Sequence, residues 1–223
     1  MYSVAKDHTK YLTKWLEYFG ELCHQGILRP ECIFMPYVSK VVDMSVYAEE
    51  IKQAVRTVAD WPEEGVMFRD IMPLLQNPKI FRKIIDSFVH RYQGMPIDAV
   101  AAIDARGFII GAPLAYELGI PLVPVRKKGK LPFQTVTQSY KLEYGEAEIE
   151  LHTDAVRTGD KVLIMDDLIA TGGTMLAACE LVKKLGAEVL EVAAIIDLPD
   201  LKGADALKQA GCDVYAICEF EGL

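Results

Sequence analysis

The chain reads as an α/β protein built on a parallel sheet, with a small hood and a flexible antiparallel hairpin added to that core. Three observations carry the assignment. Ala99 to Ile103, Leu122 to Val125 and Val162 to Met165 are short apolar runs without polar alternation, as expected of strands covered on both faces. Segments with apolar residues at helical spacing separate them, the arrangement of a parallel sheet whose crossovers are helices. Around Gly145, by contrast, apolar and polar residues alternate from Tyr140 to Leu151, which predicts an antiparallel hairpin with one solvated face. With 51% hydrophobic residues in a chain of 223, there is enough apolar material for a substantial core.

In chain order, Leu12, Trp15, Leu16, Phe19 and Leu22 fall at helical spacing within residues 1–43. That segment holds five basic and five acidic residues, dispersed in a way that does not resemble a signal peptide. It is expected to be an extension, either an added docking helix or upstream sequence read from a misassigned start codon, ahead of a main domain over 44–223. Ile51, Ala54, Val55 and Val58 predict an amphipathic helix, and Trp61 to Gly65 is rich in turn residues. A second helix opens with Asn77 as cap and Pro78 at its first position, placing Ile80, Phe81, Ile84, Ile85 and Phe88 on one side. The strand Ala99 to Ile103 runs into the turn Asp104 to Gly107. Leu122 to Val125 is followed by a polar segment, Arg126 to Gln138, expected to be mobile. In the hairpin, Ala147, Ile149 and Leu151 alternate with Glu148 and Glu150. Leu181, Val182 and Leu185 mark a helix over Met175 to Leu185, stopped by Gly186. A strand near Val189 to Ile196, a helix ending at Gly211 and a strand near Val214 to Ile217 complete the pattern.

The net charge of -8 argues against nucleic-acid binding driven by phosphate attraction. Arg126, Lys127, Lys128 and Lys130 nevertheless crowd into five positions, which suits a local anion site as well as a solvated loop. Cysteines 23, 32, 179, 212 and 218 form no CxxC pair and no disulfide framework, so reduced thiols and a cytoplasmic setting are expected. The histidines at 8, 24, 90 and 152 have no metal-binding spacing, and no apolar run approaches membrane-spanning length.

The most informative stretch is Val162 to Thr174, VLIMDDLIATGGT. Asp166 and Asp167 sit at the carboxyl end of a buried strand, the ligand edge of an open α/β sheet. The turn Ala170, Thr171, Gly172, Gly173, Thr174 lets backbone N–H groups approach an anion, and the following helix adds the partial positive charge of its N-terminus. This stretch resembles the 5-phosphoribosyl 1-diphosphate (PRPP) motif of the type I phosphoribosyltransferases. Gly65 to Ile71, Asp104 to Phe108, Arg126 to Pro132 and Leu142 to Gly145 resemble, in order and spacing, the adenine phosphoribosyltransferases of that family. The likeness spans roughly Met44 to the C-terminus.

The resemblance implies transfer of the phosphoribosyl group of PRPP to adenine, giving AMP and diphosphate. It implies Mg²⁺ bound mainly by diphosphate and ribose oxygens, with Asp166 and Asp167 steadying the ribose hydroxyls and no protein metal cage. The Ala170 to Thr174 turn would take the 5'-phosphate. A cis Asp104–Ala105 peptide would turn N–H groups, including that of Ala105, to the diphosphate, with Arg106 adding charge. Arg126, Lys127 and Lys130 would complete the neutralisation, Arg126 reaching across a homodimer interface. The hood of Met67, Phe68 and Arg69 would read adenine through main-chain groups, with Phe68 or Leu168 packed on the ring. Glu143 would act near purine N7. Two alternatives share the fold: a phosphoribosyltransferase for another purine, and a PRPP-sensing regulator without catalysis. Regulators of that kind carry a basic DNA-binding addition, which the charge-balanced residues 1–43 do not resemble.

Overall fold

The computed structural model describes residues 44–141 and 146–222. Helix α1 (Met44–Ala54) leads directly into strand β1 (Arg56–Ala59), which pairs antiparallel with β2 (Met67–Asp70) to form a two-stranded hood. The helix is therefore shorter than its apolar spacing predicts. Val58 lies opposite Phe68 in the hood ladder, and Arg56 pairs with Asp70 at 2.5 Å, so cross-strand partners decide the conformation of a β-branched stretch that local spacing leaves ambiguous. After the short α2 (Met72–Gln76) comes α3 (Pro78–Tyr92), opened as predicted: Asn77 Oδ1 accepts from the Lys79 and Ile80 N–H groups at 3.1 and 3.3 Å.

The remaining elements are β3 (Ala99–Ile103), α4 (Arg106–Leu118), β4 (Leu122–Lys127), β5 (Thr135–Lys141), β6 (Glu146–His152), β7 (Lys161–Met165), β8 (Leu168–Ile169), α5 (Gly173–Lys184), β9 (Glu188–Asp197), α6 (Gly203–Gln209) and β10 (Val214–Glu219). The main sheet runs β10-β9-β7-β3-β4-β6-β5, with β8 beside β9. Neighbours from β10 to β4 are parallel, while β4, β6 and β5 pair antiparallel. Alternation along each central strand explains the unbroken apolar runs. Ala99, Ala101 and Ile103 of β3, with Val162 and Ile164 of β7, enter a core covered by α5. Val100, Leu163 and Met165 enter a second core on the opposite face, built with Ile84 and Phe88 of α3 and Ile110 and Leu114 of α4.

Two further stretches depart from their sequence pattern. Arg126 and Lys127 extend β4, and Thr135 to Gln138 belong to β5, so much of the polar segment is paired strand. Glu150 does not lie on a solvated face: it is 3% exposed, because the loop between β4 and β5 folds over that side of the hairpin and donates to its carboxylate. Cys179, Cys212 and Cys218 are buried free thiols. Among the described residues no helix is long and apolar enough to cross a membrane.

Candidate active site

Strands β4, β3 and β7 are adjacent and parallel, so the loops that leave their carboxyl ends converge on one edge of the sheet. The Asp166–Asp167 pair is fixed there by main-chain bonds to β9. The Asp166 N–H donates to the Ala193 carbonyl at 3.1 Å, and the Asp167 carbonyl accepts from Ile195 and Ile196, each at 3.1 Å. Asp167 is buried, and its Oδ2 meets Arg106 Nε at 2.6 Å. Asp166 turns one oxygen inward to accept the Asp167 N–H at 2.8 Å. Burial and the neighbouring Asp167 charge push the Asp166 carboxyl well above the usual carboxylate range.

The loop after β3 approaches closely because Gly107 has no Cβ: one built there would lie 2.7 Å from the Met165 carbonyl oxygen and 3.2 Å from Asp166 Cα. The Asp104–Ala105 peptide is cis. Asp104 Oδ2 in turn meets Arg126 Nε at 3.1 Å, so two ion pairs, Arg106 with Asp167 and Arg126 with Asp104, join all three loops. Helix α4 begins at Arg106 and α5 at Gly173, and neither has a side-chain cap at its N-terminus. Two uncapped N-termini at one edge offer unpaired N–H groups and positive partial charge to two anionic groups. The second of them follows the Ala170 to Thr174 turn, where Gly172 takes a left-handed φ of 79° as N-cap of α5.

The hood approaches the same edge. The Met72 N–H and Arg56 hold Asp70, at the end of β2, below its ordinary value, and the more distant Arg106 charge acts weakly in the same direction. Phe68 is half-buried and packs edge-on against Trp61 at 4.5 Å, outside both cores. The Arg69 side chain does not point freely: it donates to Thr57 Oγ1 at 2.6 Å and to the Glu221 carbonyl at 3.2 Å, and stacks over Phe220 at 4.7 Å. Leu168, at the start of β8, is half-buried against the second core.

A phosphoribosyl transferase domain model matches residues 72–215. The adenine phosphoribosyltransferase of Chromohalobacter salexigens is 63% identical over 177 residues, 79% of this chain and 98% of that protein. The chain belongs to the adenine phosphoribosyltransferase family. The adenine phosphoribosyltransferase crystal structure from Rhodothermus marinus superposes with a TM-score of 0.74 at 46% identity, covering 79% of this chain and 99% of that one. The Saccharomyces cerevisiae enzyme, complexed with adenine and an imino-altritol bisphosphate, gives 0.73 at 38% identity, covering 78% and 99%.

In this adenine phosphoribosyltransferase family member, Ala105, Arg106, Arg126, Asp166, Asp167 and the Ala170 to Thr174 turn meet at one sheet edge. Lys127 does not join them: it is exposed, one residue beyond Arg126 in β4 and so on the opposite strand face. Lys130 is exposed, with its main chain rather than its ammonium group held in the network. Arg126 turns back onto Asp104 of its own chain. Glu143 lies outside the described residues, as does the extension 1–43. Sequence reading missed Glu150, whose alternating context marks it as solvated, and Gly203. A Cβ on Gly203 would fall 2.7 Å from the Gly172 N and 2.9 Å from the Thr171 carbonyl carbon, so α6 braces the phosphate-type turn. No motif at Gly203 signals that contact.

Proposed function

We propose that the protein transfers the 5-phosphoribosyl group of PRPP to adenine, forming AMP and diphosphate in purine salvage. The observation that supports this best is the joining of three loops by the two ion pairs beneath two uncapped helix N-termini. In the reaction, the bond from C1' to the diphosphate oxygen breaks and the bond from adenine N9 to C1' forms, with loss of the N9 proton. Positive charge develops on the ribose while negative charge gathers on the leaving diphosphate.

The Ala170 to Thr174 turn and the α5 N-terminus hold the 5'-phosphate, leaving Asp166 and Asp167 beside the ribose hydroxyls. The Ala105 loop, Arg106 and Arg126 take the diphosphate, with Lys127 and Lys130 contributing charge at longer range. The donor set fits Mg²⁺: two hard carboxylates, Asp166 and Asp167, stand side by side at the edge. Asp166 and Asp167 would hold it through water and ribose oxygens. The ion neutralises diphosphate charge when bound. Main-chain groups around Arg69 pair with the adenine edge, Phe68 or Leu168 covers the ring, and Glu143 holds the reactive tautomer at N7.

The catalytic domain in this reading is 44–223, in a cytoplasmic homodimer. Ile109 and Tyr116 leave an exposed apolar face on α4, which supports self-association. Incubating the protein with PRPP, Mg²⁺ and each purine base tests the assignment. Adenine should give AMP with a far higher kcat/KM than hypoxanthine or guanine, because a site built for an exocyclic amino group leaves polar atoms unpaired against a 6-oxo base. Comparable values for all three would sink it.

A further inference from the structure

Glu150 is a buried charge with no part in the chemistry above. Its Oε1 accepts from the Lys130 and Leu131 main-chain N–H groups, each at 2.8 Å, and its Oε2 accepts from Thr135 Oγ1 at 3.3 Å. It stands directly across the β4–β6 ladder from Arg126. Arg126 Nη1 donates to the Lys130 carbonyl at 3.3 Å while its Nε reaches Asp104. Lys130 is thus gripped at both ends of its main chain, by Glu150 at the N–H and by Arg126 at the carbonyl. The same guanidinium continues the chain of bonds to the cis Asp104–Ala105 loop.

We propose that Glu150 is a positioning residue for the diphosphate site, acting through the 128–131 loop and Arg126 to hold the Asp104–Arg106 loop in its anion-binding arrangement. The inference rests on reading that edge as the diphosphate site. A bare carboxylate close to an anion site would oppose binding, so its use here depends on the donors that occupy it. Burial alone would push the Glu150 carboxyl up, but the N–H groups of Leu131, Gly129 and Lys130 outweigh it and leave the group below its ordinary value. Its charge is spent on the loop backbone rather than on the substrate. Without those bonds the loop loses its anchor and Arg126 loses the Lys130 carbonyl that orients it.

The test compares wild type, Glu150→Ala and Glu150→Gln as full chains. Calorimetry measures Mg·PRPP binding, steady-state kinetics gives KM for adenine, and limited trypsin digestion reports cleavage after Lys127, Lys128 and Lys130. Glu150→Ala should weaken PRPP binding about tenfold and speed loop cleavage, with adenine KM within about twofold of wild type, the loss of a set of charge-assisted bonds to a single loop. Glu150→Gln keeps one carbonyl for the two N–H groups and an amide for Thr135, so it should recover most of the affinity. Folded Glu150→Ala with wild-type PRPP affinity would overturn the proposal. If Glu150→Ala does not fold, Glu150→Asp decides: one methylene shorter, it draws the carboxylate back from the Lys130 and Leu131 N–H groups, so weakened PRPP affinity with faster loop cleavage supports the proposal and values equal to wild type overturn it. Wild-type protein that binds PRPP but makes no AMP would instead sink the assigned reaction, leaving the binding and cleavage measurements to judge Glu150.

Discussion

Asp166 and Asp167 are neighbours in opposite electrostatic situations. Arg106 answers Asp167 at 2.6 Å, whereas burial and the Asp167 charge raise the Asp166 carboxyl above its ordinary 3.8. A raised folded value means that the stability linked to Asp166 is fully present below pH 3.8 and is lost as pH rises towards the raised value. The fold of the ligand-free protein therefore favours a neutral group over a carboxylate at this position. Asp166→Asn is expected to stabilise that form by about 0.5–2 kcal/mol in urea unfolding at neutral pH, while removing most turnover, a trade of stability for function. A less stable Asp166→Asn protein would show that the ionised carboxylate supports the fold. Glu143 belongs to the same scale. Glu143→Ala should lower kcat by about 10² to 10³, as for loss of one preorganised transition-state contact. Glu143→Gln should restore much of that if positioning matters and little if proton transfer does, with PRPP affinity steady throughout. Unchanged kcat in both variants would remove Glu143 from the mechanism.

Among the elements, the phosphate-type turn depends on a helix whose contact with it no motif marks. α6 starts at Gly203, and its main chain touches the turn so closely that a side chain there would strike the Gly172 N and the Thr171 carbonyl carbon. Both are backbone atoms, so neither can rotate aside. Gly203→Ala should displace the turn, weakening PRPP binding more than adenine binding and costing about 1–3 kcal/mol of stability, as for overpacking elsewhere. Equal PRPP affinity in calorimetry would mean that α6 moves away as a unit and leaves the turn alone.

For the whole molecule, the hood is tied to the end of the chain. Phe220 extends β10 by donating its N–H to the Asp197 carbonyl at 3.0 Å, and Gly222 donates to Asp200 Oδ2 at 2.7 Å. Arg69 reaches from the hood to this segment through the Glu221 carbonyl and the Phe220 ring, and Lys52 of α1 adds a second cation at 5.3 Å from that ring. The proposed reading of adenine by the hood's main chain requires such a fixture, since two short strands alone are weakly stable. Phe220→Ala should raise KM for adenine about tenfold, roughly 1.4 kcal/mol, with little change in KM for PRPP. Equal rises in both constants would point to a general loosening rather than a fixed hood.

The parallel core is legible in the chain alone, because strands covered on both faces need continuous apolar runs and helices between them need apolar spacing. The sequence also marks Asp166, Asp167 and the Ala170 to Thr174 turn, since an acidic pair at a strand end followed by a small-residue turn has a local signature. That Val58 leaves the helix for the hood follows only from the folded chain, because its partner Phe68 is ten residues away across a ladder. Glu150 shows the limit most sharply. Alternation records which residues share a strand face, but whether that face meets water or a returning loop is set by the path of the chain elsewhere. The same holds for Gly203, which is an ordinary glycine until α6 is laid against the turn, and for Arg69, which reaches Glu221 and Phe220 at the far end of the chain.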